Sequence, residues 1–410
     1  MADIPVGHGD QLMHTLAPRE RLPKGIRLLI VARAVNRLGA FSLSFLTVLI
    51  STDFGVSAAT AGLVSAAFGL ATVPSRLFGG YLADRLGRRR TILLGLTGCA
   101  VAQLGIAAAG SLPVIAVFAV LLGLVFELFE PPSQAMIADG VRAADRTRAY
   151  SLLNAALAAA GMGAGLIAAS VGRWDLRWLF VVDALTCLAC AVIIGLVVPP
   201  DGPRRGRATP VTSSSAWRDP ALLAMLGCGT LLALIYMVIM ILLPLALPAY
   251  GLQAADAGFL FTVSALTIIA GQPLLRLRPV AALPPAAGLA AGAAFMAAGL
   301  AGYALAPTLA GNALAPALPA LAVATVVWSV GDLLIMGRAY AIVAGLAPPD
   351  ARGRYLAVFG TSWGFATVAA PLAGTQLLER LGAQGLWVCL AGACLVLVAA
   401  SMSVGRLIEE

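Results

Sequence analysis

Runs of about 20 apolar residues recur along the whole chain, each long enough to cross a bilayer as a helix rising 1.5 Å per residue. The first six lie over about residues 27–50, 57–82, 91–110, 113–138, 149–170 and 178–198. Six more lie over about residues 220–247, 257–275, 284–305, 317–344, 355–377 and 385–403. In lipid every backbone polar group must be satisfied internally, so only helices or a closed barrel can span. A barrel would show short alternating segments, and these runs are continuous. The fold class expected is therefore all-α membrane protein with twelve transmembrane helices. Composition agrees: 60% of residues are hydrophobic and 11% charged, where a soluble domain carries about 25% charged.

Between the two sets of runs lies PPDGPRRGRATPVTSSSAWRD, a hydrophilic stretch rich in Pro, Arg and Ser. It divides the chain into a tail over 1–26, a six-helix bundle over 27–199, a linker over 200–218, a second bundle over 219–404 and a tail over 405–410. The first 24 residues lack the apolar core of a signal peptide and read as a cytosolic tail.

The net charge of +8 is explained by where the cations fall. Of 27 Lys and Arg, 20 lie in tails and loops on the side of the N-terminus, and only Arg173, Arg177 and Arg380 lie in loops on the other. By the positive-inside rule both termini are expected in the cytoplasm, as in a multi-pass protein of the cell membrane. The charge is an orientation signal, and no nucleic-acid partner is expected. All six Cys fall in apolar runs and both His, His8 and His14, in the polar tail. A nucleophile-His-acid site has no material to work with, so the chain is not read as an enzyme.

Between the second and third runs lies GYLADRLGRRR. Its Gly80, Asp84, Arg85, Gly87, Arg88 and Arg89 match, residue by residue, the cytoplasmic loop between helices 2 and 3 of the major facilitator superfamily. RAVNRLGAF in the first run, FELFEPPSQAMIAD in the fourth and the Gly-Asp of the tenth look most like the bacterial multidrug-resistance antiporters of that superfamily. The resemblance implies two pseudo-symmetric six-helix bundles rocking about a central site, energised by a proton gradient and using no cofactor. It also implies that Gly80 approaches the eleventh helix, with Asp84 against that helix's positive N-terminal end beside Arg352 or Arg354, as a latch closing the cytoplasmic side. The second half keeps only Arg276 and Arg278 at the matching loop, so the latch is one-sided.

The halves also resemble each other. ADGVRAADRTRAYSLL aligns with LAPPDARGRYLAVFG when Tyr150 is laid on Tyr355, an offset of 205 residues that places Glu127 on Asp332. Gly123, Glu127, Glu130 and Gln134 recur at helical spacing and line one face of the fourth run. Glu127 lies about 16 Å from the cytoplasmic end of that run, near the midplane. A charge there costs at least a few kcal/mol, which suits a group that alternates between protonated and ionised forms. Glu127 and Glu130 are therefore the candidate proton-coupling residues, against the plainer reading of permanent partners for an Arg. Pro131 and Pro132 leave carbonyls without donors and predict a kink.

The candidate substrate-cavity residues are Asp332, with Trp328 one turn before it, then Arg37, Asn36 and Gln134. An aromatic beside an acid can hold a cationic or aromatic ligand. Arg37 lies deep enough to need a partner: Glu130 is expected, an anionic substrate being the competing use. Arg33 and Arg76 are expected to snorkel to the cytoplasmic interface. Gly161, Gly163 and Gly165 read as helix-packing positions. The function expected is proton-coupled export of small, largely apolar compounds by a monomer. The alternatives are a proton-coupled importer or facilitator of a nutrient or organic anion, and a sensor that binds without translocating.

Overall fold

The computed structural model describes residues 22–141, 146–199, 216–310, 317–348 and 352–409, and among them every regular element is helical. In the first half the order is α1 (Lys24–Arg37), α2 (Leu46–Phe54), α3 (Ala58–Leu86), α4 (Arg88–Ala108), α5 (Leu112–Phe126), α6 (Glu130–Asp139), α7 (Arg146–Val171) and α8 (Arg177–Val197). The second half follows with α9 (Pro220–Ala246), α10 (Asp256–Gly271), the one-turn α11 (Arg278–Ala281), α12 (Pro285–Ala310), α13 (Ala317–Leu346) and α14 (Arg352–Glu409). Eleven helical stretches among the described residues are long and apolar enough to cross a membrane.

The eleventh stretch, Tyr355–Ser403, has 49 residues and takes in the last two apolar runs of the sequence. Straight, it would extend about 73 Å, more than twice a bilayer's hydrocarbon core. It is broken at Gly382, whose φ of 69° and ψ of −179° are accessible to glycine.

Two spans that the sequence presents as continuous are interrupted. The first is α1 and α2, joined by a turn over Leu38–Phe41 and a 3₁₀ segment over Ser42–Phe45. The cause is a close crossing: a Cβ on Gly39 would lie 2.4 Å from the Asp183 Cα of α8. The Ser42 hydroxyl then donates to Asp183 Oδ2 at 2.5 Å and fixes the turn. The second is α5 and α6, interrupted over Glu127–Phe129 just before Pro131 and Pro132, which have no N–H to continue the ladder. Ser75 of α3 accepts the Glu127 N–H at 3.0 Å, replacing one lost bond.

The apolar side chains gather into two cores. One draws only on residues between Leu22 and Val198; the other is built mainly from residues between Leu222 and Leu397. The halves meet through α3 against α14 and α7 against α10. We call the end carrying Lys24, Gly87 and Asp219 the tail end, and the other the far end. Tight packing lies toward the far end. A Cβ on Gly62 would fall 2.4 Å from Thr375, and one on Gly258 would fall 2.4 Å from the Ala169 backbone nitrogen. Arg173 pairs there with Asp256, the Ala59 N–H donates to Glu379 at 2.7 Å, and Phe41 stacks on Phe261 with ring centroids 4.9 Å apart.

Candidate functional site

Packed at the far end, the halves enclose a cavity of about 1160 Å³ extending toward the tail end, with walls from both cores. Its lining is mostly apolar and aromatic, including Phe41, Phe68, Phe126, Tyr236, Phe261, Trp363 and Phe365. Among the described lining residues the charged ones are Arg37, Arg76 and Glu127.

Glu127 reaches the wall because the fourth span is interrupted there, and Arg76 Nη2 of α3 lies 3.1 Å from its Oε1. Arg76 is 56% exposed, so this pair faces the cavity, and Arg76 serves the cavity wall in place of the expected cytoplasmic interface. Arg37 ends α1, where the backbone carbonyls run out, and opens into the cavity. The expected Arg37–Glu130 pair does not form. Glu130 is held instead by Arg33, which also donates to Ser133 Oγ at 2.6 Å and lies over the Phe129 ring; Gln134 adds a bond at 2.8 Å. Arg33 is thus buried in a polar knot between α1 and α6 and does not snorkel. The Arg33 spacing fits Glu130 because α1 packs against α6 below its break.

Asn36, Gln134, Trp328 and Asp332 are not among the described lining residues. Asn36 faces α8 and donates to Cys187 Sγ at 3.2 Å. Trp328 is fully buried, its indole N–H donating to the Tyr303 hydroxyl at 3.0 Å. Asp332 lies one turn along α13, 5% exposed, and its Oδ1 has no hydrogen-bond partner among the described residues. Tyr236 stands between the cavity and this layer, edge-on to Trp363 at 5.6 Å and to Trp328 at 6.5 Å. Glu127 and Asp332 are equivalent in sequence but not in surroundings: one opens on the cavity at a broken helix, the other is sealed within an intact one.

Asp183 is a further functional candidate, since an acid alone in an apolar run marks it as clearly as it marks Glu127. It is buried and accepts from Ser42, with Thr186 Oγ1 at 3.5 Å from Oδ1. Of the glycines in α7, Gly165 packs closely on α10, a Cβ there falling 2.2 Å from Thr262 Oγ1, whereas Gly161 lines the cavity.

In the loop motif Gly87 has φ 100° and ends α3 and starts α4 in a single residue, which no side-chain-bearing residue adopts readily. Arg89 donates at 2.5 Å to the carbonyl of Gly195, near the C-terminus of α8, where a cation is favoured. Arg85 lies over the Tyr81 ring, 4.7 Å from its centroid. The side chains of Asp84, Arg352 and Arg354 lie outside the described residues, as does any Cβ contact at Gly80. Arg88 begins α4.

The chain is similar to known proteins in sequence and in fold. The chain is 26% identical over 344 residues to the "Uncharacterized MFS-type transporter YhjO" of Bacillus subtilis, covering 82% of this chain and 80% of that one. It is 34% identical over 123 residues to the "Multidrug resistance protein MdtH" of Cronobacter sakazakii, 30% of this chain and 31% of that one. Among solved structures, that of the peptide transporter POT in complex with sulfate superposes with a TM-score of 0.77 at 17% identity, over 98% of this chain and 99% of that one. At that identity the likeness is one of fold. Residues 29–296 match the family model described as Major Facilitator Superfamily, and with a helical bundle of this form around a central cavity, the chain belongs to that superfamily of membrane transporters.

Proposed function

We propose that this chain exports small, largely apolar compounds by proton antiport, using alternating access of the central cavity. The observation that carries the reading is the Arg76–Glu127 pair on the cavity wall. An acid and its counter-ion exposed together in a site between two bundles can exchange a proton for their mutual contact. Proton binding at Glu127 frees Arg76, and bundle motion can follow from that. The aromatic wall suits apolar compounds, and the likeness to a multidrug resistance protein favours the outward direction. Glu130, tied to Arg33, acts in this scheme as a support for α6.

The same proposal has Tyr355–Ser403 crossing the membrane twice, with the turn at Gly382, for twelve passes in two bundles. It places the tail end in the cytoplasm of a cell-membrane protein, consistent with the Arg-rich loops. The cavity then faces inward, and Asp84 against the start of α14 would close it in the opposite state. Everted membrane vesicles with a panel of hydrophobic dyes supplied in the external medium test the reading. An acid lumen should drive dye uptake, and uptake unaffected by collapsing the gradient would exclude antiport.

A further inference from the structure

The charge of the cavity narrows the compounds it can hold, given the transport reading above. Its described lining holds two cations and one anion, and Arg76 with Glu127 is already a pair. Arg37 is left over: its guanidinium makes no hydrogen bond or ion pair with a described residue. It stands about 20 Å along α1 and its span from Lys24, too deep to snorkel to either surface. A guanidinium offers five donors in a planar fork that matches a carboxylate. It is exposed in the cavity beside a mostly apolar wall, where its fork is open to a ligand. The other acid near this layer, Asp332, is sealed behind Tyr236 and Trp328 and gives a cationic ligand no contact.

We infer that the cavity selects amphiphilic monoanions, compounds with an apolar or aromatic body and one carboxylate-like group, and that Arg37 reads their charge. The body would lie against Phe41, Tyr236, Phe261 and Trp363, and the anion would take the Arg37 fork. A cationic amphiphile of the same shape would meet the net positive charge of the site.

Three naphthyl compounds of one shape, bearing a carboxylate, a carboxamide or an ammonium group, test this by calorimetric titration of the full chain in nanodiscs. A charge-assisted bond contributes about 1.5–3 kcal/mol, so the carboxylate should bind about 10-fold to 150-fold tighter than the amide and tighter still than the ammonium compound. The preference should vanish in Arg37→Gln and persist in part in Arg37→Lys. Equal or tighter binding of the ammonium compound, no binding of the carboxylate, or an undiminished preference in Arg37→Gln would each overturn the inference. The wild-type arms decide it even where a variant does not fold. Because binding is read without a gradient, its failure leaves proton-driven export to be judged by the vesicle assay.

Discussion

Arg76 Nη2 of α3 lies 3.1 Å from Glu127 Oε1 at the break in the fourth span, and this contact differs in kind from the Arg33–Glu130 pair one turn away. The first faces the cavity with Arg76 more than half exposed, so it contributes on the order of 1 kcal/mol and can be exchanged. The second has Arg33 only 8% exposed, with Ser133, Gln134 and Phe129 around it, so losing one partner leaves a buried charge.

The difference is measurable as stability. Glu130→Ala should destabilise the protein by about 3 kcal/mol, whereas Glu127→Gln should stay within about 1 kcal/mol of wild type. Thermal midpoints of purified protein in one detergent give the comparison. Equal losses would show that both pairs are structural.

The pair between Arg173 and Asp256 joins the halves at the far end and should bias the conformational equilibrium. Removing about 1 kcal/mol of bias changes a population ratio up to about fivefold. In a background without native cysteines, Leu372→Cys on the cavity wall should be labelled faster from the far side when Asp256→Asn is added. Exchanging the charges, Arg173→Asp with Asp256→Arg, should restore slow labelling. No change in rate with either variant would remove the pair from any gating role.

Asp332 is buried with an oxygen that finds no donor among the described residues, an arrangement retained at a cost to stability. Asp332→Leu, of similar shape, should leave the thermal midpoint unchanged or raise it by the equivalent of about 1–2 kcal/mol. A marked fall would reveal a stabilising partner for the carboxylate.

Asp219 offers a titration outside the membrane. Burial works to raise its pKa, but hydrogen bonds from the Tyr355 hydroxyl and from the Leu222 and Ala221 N–H groups outweigh it and hold the pKa below the usual carboxylate value. A lowered folded-state pKa gives stability that is full above the unfolded value, about 3.9, and is lost as pH falls through the lower folded value. Asp219→Asn keeps a capping oxygen but does not titrate. Between about pH 5 and 3 its thermal midpoint should therefore fall less than that of wild type. Parallel acid limbs would show that the cap does not depend on charge.

Much of this was legible in the sequence because lipid leaves few options. Long apolar runs mean helices, Gly87 marks the tight turn between α3 and α4, and Pro131 with Pro132 foretells the break beside Glu127. Partner choice was not legible. Arg33, Arg37 and Arg76 differ little in composition of their surroundings, and which meets Glu130, which meets Glu127 and which stays open depends on how α1, α3 and α6 cross. The break in the first span was hidden for the same reason: Gly39 needs its freedom only because Asp183 of α8 passes beside it, 144 residues later in the chain. The repeat also misled about Asp332, since α13 has no proline after that residue to open the helix as α5 and α6 are opened.

The most direct test of the account is gradient-driven uptake and substrate counterflow measured side by side in everted vesicles carrying Glu127→Gln. Proton-driven transport should be abolished while counterflow, which needs only binding and bundle motion, persists. Undiminished proton-driven transport in that variant would contradict the assignment of Glu127 as the coupling acid.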